Sequence, residues 1–232
     1  MSFFTAIPCS KATMDLYLVR TALFKALQTN LSVFNGDLLD IGCGQMPYRQ
    51  YILEHSKVTS YIGLDIENAL PYNSSVKPDY TWNGITMPFS DEQYDCAFGT
   101  EVLEHCPDPK IILSETYRVL KPGSPFFFTV PFLWPLHEVP HDEYRYTPFA
   151  LQRMLSECGF KKIEIKALGG WNASMAQMLG LWLRRSKMSD RRRNILSTIL
   201  YPFYLYLIKT DKVPTVFHES TMITGLSGIA YK

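Results

Sequence analysis

The chain has 232 residues, 47% of them hydrophobic, with 23 basic residues against 22 acidic ones and a formal net charge of +1. That length supports one domain with an insertion and a sizeable core, and the near-neutral balance excludes a global pull on nucleic acid, so such binding would need a local patch. Cys9, Cys43, Cys96, Cys106 and Cys158 are scattered and never spaced as CxxC, which speaks for a reducing compartment and against a disulfide framework or zinc knuckle.

The first residues show no basic start followed by an apolar run, so no secretory signal is expected. Asp15 to Leu27 carries Leu16, Val19, Leu23 and Leu27 near helical spacing, an amphipathic helix. Asp37 to Gly44 is a short apolar run ending in a glycine turn, a buried strand that delivers its carboxyl end to a ligand. A helix is predicted over Tyr48 to Glu54, a strand ending in an acid over Tyr61 to Ile66, and another buried strand over Tyr94 to Gly99. Lys110 to Leu120 reads as a helix stopped by Lys121-Pro122-Gly123. Phe126 to Val130 is strand-like, Phe149 to Cys158 is a helix ended by Gly159, and Ile163 to Ala167 and Gly225 to Tyr231 are strands.

Strands alternating with helices imply a mostly parallel sheet covered on both faces. The expected division is an N-terminal helical part at 1–35, a cofactor-binding core at 36–167, a helical insertion at 168–223 and a final strand at 224–232, all within one domain. In such sheets ligands sit beyond the carboxyl ends of the strands. Asp40-x-Gly42-x-Gly44, with Cys43 between the glycines, lets the backbone approach a ligand closely. Asp65 follows Gly44 by about 20 residues, the spacing at which an acid accepts hydrogen bonds from ribose hydroxyls. Ile66 would lie on an adenine face, and in Trp82-Asn83-Gly84 the Asn83 side chain could bond the adenine amine. A dinucleotide fingerprint would want a third glycine at position 47, where this chain has Pro47, so NAD or FAD ranks below a single nucleoside.

The strings LLDIGCG, YIGLDI, MPFSDEQYDCAFGTEVLEH and YRVLKPG, in that order, resemble the S-adenosylmethionine (SAM)-dependent methyltransferases of the type called methyltransferase domain 11, over roughly Asp37 to Lys166. The form GCGQMPYR resembles a subgroup seen among bacterial enzymes of cell-surface glycan pathways. The resemblance implies an α/β, Rossmann-like class I fold with a seven-stranded sheet. It implies that Asp40, Gly42 and Gly44 contact the methionine part of SAM, Asp65 the ribose, Ile66 and Asn83 the adenine, and Thr100 the sulfonium side. Two positions depart from the family: Met46 stands where glycine is common and Asn83 where aspartate is. Met46 would either narrow the loop or pack in the core.

Glu101-Val102-Leu103-Glu104-His105 is placed to supply acid–base chemistry, and on a helix Glu101, Glu104 and His105 would share one face. An ExxEH arrangement also occurs in metal-assisted O-methyltransferases, which take a later ligand as well; that makes Glu101, Glu104, His105 and either His137 or His141 the metal candidates, with a metal-free site preferred. Trp134 to Tyr146 concentrates His137, His141, Asp142, Tyr144, Arg145 and Tyr146 on a loop, a density typical of sites. His141 is the first choice as base or acceptor-orienting group, with His105 and Glu101 beside it and His137 as its alternate. Arg145 would pair with an anionic acceptor or with Asp142.

Arg184, Arg185, Lys187 and Arg191 to Arg193 form a basic cluster flanked by apolar and aromatic runs, which suits a helical cap, contact of 178–208 with anionic lipid, a lipid-linked acceptor or a dimer surface. The expected protein is a cytoplasmic SAM-dependent methyltransferase, peripheral to the inner face of the membrane. It would act on oxygen of a sugar, lipid-linked or other small-molecule acceptor, with no nucleic-acid partner. The competing reading is a non-catalytic SAM- or nucleotide-binding module acting through its hydrophobic insertion.

Overall fold

The computed structural model describes residues 3–67 and 76–232. Among them, seven strands form one sheet: β1 (Asn35–Ile41), β2 (Lys57–Ile66), β3 (Tyr80–Trp82), β4 (Cys96–Thr100), β5 (Pro125–Pro131), β6 (Lys161–Leu168) and β7 (Gly225–Tyr231). The α-helices are α1 (Tyr17–Asn30), α2 (Arg49–His55), α3 (Pro109–Val119), α4 (Pro148–Glu157), α5 (Trp171–Arg185) and α6 (Asp190–Thr210). The strand order is β3-β2-β1-β4-β5-β7-β6. All pairings are parallel except those of β7, which lies antiparallel between β5 and β6. The order reverses between β1 and β4, so the carboxyl ends of these two strands flank the crevice where such sheets take ligands. Because β7 opposes both neighbours, β6 points the same way as β5 and ends at that same edge.

Residue parity sorts the strands' side chains to the two faces, as the two-residue period of a strand requires. Leu39, Ile41, Leu64, Phe126, Phe128 and Val130 pack on one face with Leu113, Leu151 and Leu155. Leu38, Phe98 and Phe127 pack on the other with Leu27, Phe34 and Ile52. β5 is buried along its whole length, which is why its sequence is an unbroken Phe-Phe-Phe-Thr-Val run. Truncating Phe127 to alanine would cost about 3–5 kcal/mol.

Local signals set the helix starts. Asp108 accepts from the Lys110 amide ahead of Pro109, Thr147 from Ala150 ahead of Pro148, and Ser189 from Arg192. The first helix begins at Tyr17 rather than Asp15, because Lys11–Thr13 forms a 3-10 turn and Asp15 faces away to pair with Arg185 at 3.0 Å. The strand expected from Tyr94 starts at Cys96, since the Tyr94 amide bonds the Val119 carbonyl at the end of α3. The region after β6 forms α5 and α6, which bury their inner faces in a third cluster around Met14 and Tyr204.

Candidate active site

The glycine turn after β1 and the acid that ends β2 meet. Gly44 N–H donates to Asp65 Oδ2 at 3.0 Å, and Ile66 N–H donates to Asp65 Oδ1 at 2.8 Å. Each carboxylate oxygen keeps a lone pair for a further donor. Burial raises the Asp65 carboxyl above its usual range, and the two amide bonds oppose that rise by favouring the charged form. Gly42 and Gly44 both have left-handed backbones, φ 65° and 49°. A Cβ on Gly42 would come within 2.5 Å of Val102, so the residues following β4 lie directly over the turn. Ile66 is 48% exposed at the end of its strand, an apolar surface open for a flat ring. An anchored carboxylate beside a glycine turn and an uncovered apolar platform fit the nucleoside half of SAM.

The other residues expected at the cofactor lie around this turn and beyond it. Asp40 is buried beneath the turn and accepts from the Tyr61 hydroxyl, and burial raises its carboxyl well above the usual range. Cys43 is buried, and its thiol is pushed up by desolvation and by nearby acids, so it is chemically quiet. The Asn83 side-chain oxygen already accepts from the Ile85 and Thr86 amides at 2.9 and 3.1 Å, and Gly84 follows with φ 79°. This is the local turn that Asn-Gly favours. Met46 occupies a left-handed position, φ 48°, but its side chain is buried. Its sulfur fills the space left by Gly63, where a Cβ would come within 2.6 Å of it. It packs in the core and leaves the turn clear. Thr100 ends β4 opposite Thr129 of β5.

Glu101 does not lie on a helix. Its φ of 57° breaks the chain's direction at the end of β4, and only Leu103–His105 forms a single 3-10 turn, so the expected shared helical face is absent. Glu101 Oε1 accepts from the Thr129 hydroxyl at 2.9 Å. Burial pushes its carboxyl up to about 7, against the pull of Thr129, Arg20 and Arg145. Arg20, on α1, was not singled out from the sequence. It bonds the Tyr48 side chain, and burial lowers its own pKa. Its charge favours ionised Glu101. Glu101 also borders a narrow, mostly apolar cleft with Val19, Leu23, Val130, Leu133 and Trp134. The walls close on about 10 Å³, room for roughly one water.

Glu104 is fully buried, and neither carboxylate oxygen has a hydrogen-bond partner. Desolvation, and then the charge of Glu101, raise its carboxyl well above the usual range. His105 Nε2 lies 3.8 Å from Glu104 and 3.7 Å from Glu138, and the His105 and His137 rings meet edge to face at 4.8 Å. Among the described residues, Glu104, His105 and His137 bring ligand atoms within 4.8 Å of one another, a set that could hold a metal ion. Of the metal candidates read from the sequence, Glu104, His105 and His137 belong to this group, whereas Glu101 and His141 do not. His141 contributes its main-chain carbonyl, which bonds His105 Nδ1 at 2.9 Å, and its side chain is exposed.

The loop holding His137 and His141 is pinned to the turn below it. Tyr144 and Tyr146 hydroxyls donate to the Pro107 and Leu103 carbonyls, and the Glu143 amide donates to the Glu104 carbonyl. Arg145 is spent on the loop itself, with two bonds to Asp142 at 2.7 and 2.8 Å. That pairing holds the Asp142 carboxyl down at about 2. Asp142 also approaches His137 Nδ1 at 3.3 Å.

Residues 39–128 match the family model described as methyltransferase domain. Over 97 residues the chain is 33% identical to 24-methylenesterol C-methyltransferase 2 of Arabidopsis thaliana, a stretch covering 38% of this chain and 27% of that protein. Over 122 residues it is 24% identical to a ubiquinone biosynthesis O-methyltransferase of Coxiella burnetii, covering 49% of this chain and 51% of that protein. The match thus spans between about a quarter and about half the length of these curated relatives. A solved SAM-dependent methyltransferase from Archaeoglobus fulgidus shares the fold, with a TM-score of 0.55 over 94% of both chains at 17% identity.

Proposed function

We propose that this chain, a class I SAM-dependent methyltransferase by its domain and its fold, methylates an oxygen on a small amphiphilic acceptor such as a sugar or lipid-linked intermediate. The observation that supports this most is the convergence at one sheet edge. The Gly42–Gly44 turn is tied to Asp65, Val102 lies over Gly42, and the preceding residue, Glu101, turns its carboxyl to Thr129 on the neighbouring strand β5. The cofactor, when bound, supplies a methyl group on a positively charged sulfur.

The chain's own residues then have three tasks. Asp65 holds a ribose through its remaining lone pairs, and Ile66 covers one face of the base. The apolar side chains of Val19, Leu23 and Trp134, which close on room for about one water beside Glu101, would part to admit the acceptor, and holding it in line with the methyl group can contribute up to about 7–11 kcal/mol. Glu101, held near neutrality, takes the hydroxyl proton as the oxygen is methylated, with His105 and His141 bordering the same turn. The relatives above are named for a sterol and for ubiquinone biosynthesis, and the apolar side chains beside Glu101 are in keeping with an acceptor that carries an apolar part. The GCGQMPYR turn adds the cell-surface glycan pathways as the setting. A single domain with 168–223 as its insertion, working against the inner face of the membrane, completes the reading.

The test is incubation of the purified protein with methyl-labelled SAM and a bacterial glycolipid extract. Release of S-adenosylhomocysteine and label in an extractable O-methyl group is the expected result. Stoichiometric SAM binding with no turnover on any fraction would replace this reading with the non-catalytic module.

A further inference from the structure

The outer face of α5 is apolar. Trp171, Met175, Met178 and Trp182 are 43–59% exposed, and of the helix's exposed residues only Arg185 is polar. Their spacing of four, three and four residues sets them in one line along the helix. A helix against a soluble core ordinarily turns polar residues outward. On α6 a similar line runs beside exposed Asn194, Thr198 and Lys209: Ile195, Ile199, Phe203 and Tyr206 are 46–65% exposed at spacings of four, four and three.

The two helices pack as a hairpin, and both bury their opposite faces in the cluster of Met14, Ala176, Tyr204 and Leu207. Each stripe is therefore turned away from the body. The hairpin is seated firmly. Tyr204 donates to the Met14 carbonyl at 2.9 Å, and Gly180 lets α5 lie against that same carbonyl, where a Cβ would come within 2.2 Å.

Charge separates this hairpin from the rest of the chain. Between Trp171 and Thr210 the sequence has seven basic residues and one acid, Asp190, in a protein whose net charge is +1. Lys187, Arg191 and Arg192, at the turn, are exposed and make no salt bridge among the described residues. Among those residues, no helix is long and apolar enough to cross a membrane.

We propose that the α5–α6 hairpin is an interfacial anchor that lays both stripes into the headgroup–acyl boundary of an anionic lipid bilayer, with the basic turn on the lipid phosphates. The apolar face begins at Trp171, ahead of the 178–208 stretch that the sequence marks out. The geometry joins the anchor to the site: α5 starts just beyond the carboxyl end of β6, at the sheet edge that holds Asp65 and Glu101. The Arg185 guanidinium lies 4.6 Å over the Trp134 ring, a wall of the acceptor cleft. Docking thus presents the cleft to molecules embedded in the lipid surface. Only this last consequence rests on the amphiphilic-acceptor reading.

Vesicle flotation of the whole protein tests the anchor without methyl transfer, so its failure would leave the proposed activity untouched. The protein should float with phosphatidylcholine vesicles containing about 30% phosphatidylglycerol, about ten-fold less with phosphatidylcholine alone, and less as salt rises. R191E/R192E and, separately, W182S/F203S should each lower binding about ten-fold while leaving thermal melts and SAM binding unchanged, because all four side chains are exposed. Absence of flotation on anionic vesicles, or variants that float like the parent, would overturn the proposal. So would a dimer, seen by light scattering, that W182S/F203S dissolves in a protein that binds no vesicles.

Discussion

Asp65 gives the sharpest test of the cofactor site, because its two oxygens are already half used. Oδ2 takes the Gly44 amide and Oδ1 the Ile66 amide, so a ribose diol would take one remaining lone pair on each. A hydrogen bond to a charged acceptor is worth about 1.5–3 kcal/mol, and paired bonds do not add fully. Asp65→Ala should therefore weaken SAM binding by about 2–4 kcal/mol, roughly 30- to 1,000-fold in Kd. The structure makes a further demand. In Asp65→Asn one carboxylate oxygen becomes an NH2 group, which would face either Gly44 N–H or Ile66 N–H, donor against donor. The near-isosteric asparagine should then recover little, staying within about ten-fold of alanine, or about 1.4 kcal/mol. Calorimetric titration with SAM measures both variants, and thermal melts show whether the turn itself has loosened. Asparagine binding like the parent would refute the two-amide anchoring, and alanine within about two-fold of the parent, below 0.5 kcal/mol, would remove the pocket assignment.

Other expectations concern the buried acids. Glu101 accepts a proton only when ionised, so kcat/KM should rise with pH through about 7. Glu101→Gln should lose about 10²–10⁴-fold in rate together with that limb, and a limb that survives in Glu101→Gln would assign it to another group. Glu104 titrates above its unfolded value, so the folded state holds a proton that the unfolded chain releases, and stability should fall as pH rises above the ordinary glutamate range. Glu104→Gln keeps the shape without the titration. It should match the parent near pH 5 and exceed it near pH 8 by on the order of 1–3 kcal/mol in denaturant melts, and parallel stability curves would contradict the burial argument.

Much of the sheet was legible because β1, β2 and β4 are apolar runs closed by Gly42, Asp65 and Glu101 and β5 is an unbroken apolar run, signals that are local; the three-residue β3 is too short to carry one. Asp65 was legible for the same reason: its distance from the glycine turn along the chain is fixed by one helix and one strand. The segment after β4 was not legible. The Glu101, Glu104 and His105 spacing suggests a helical face, but a left-handed residue at Glu101 cannot start a helix. Glu104 and His105 meet across the 3-10 turn with His137 from the next loop, while Glu101, beyond the kink, turns to Thr129. The choice between His137 and His141 could not be made from spacing, since it depends on how Arg145 and Asp142 fold the loop and on which histidine offers its ring and which its carbonyl. Arg20 was invisible because nothing near it in sequence marks it, and only the packing of α1 over the end of β4 brings it to Glu101. Asn83-Gly84 carried a turn signal that the adenine reading outweighed, and the Asn83 oxygen follows the turn.

The distribution of charge also bears on product release. The hairpin's basic excess leaves the remainder of the chain net acidic, and Asp40, Asp65, Glu101 and Glu104 gather at the ligand edge of the sheet. All four carboxyls are raised by burial. A carboxyl that desolvation keeps from ionising ionises more readily when a further cation arrives beside it. SAM brings such a cation in its sulfonium, and S-adenosylhomocysteine, after methyl transfer, does not. Cofactor binding should therefore favour the ionised form of Glu101, and by linkage its affinity should rise between pH 6 and 8, by up to about ten-fold for a single group titrating near 7. The product's affinity should stay nearly level over the same range, so that the loss of the sulfonium charge itself weakens the hold on the spent cofactor. Titrations of both ligands at several pH values, repeated with Glu101→Gln, check this. The cofactor's slope should vanish in the variant, and equal slopes for the two ligands in the parent would show that the sulfonium does not sense these acids.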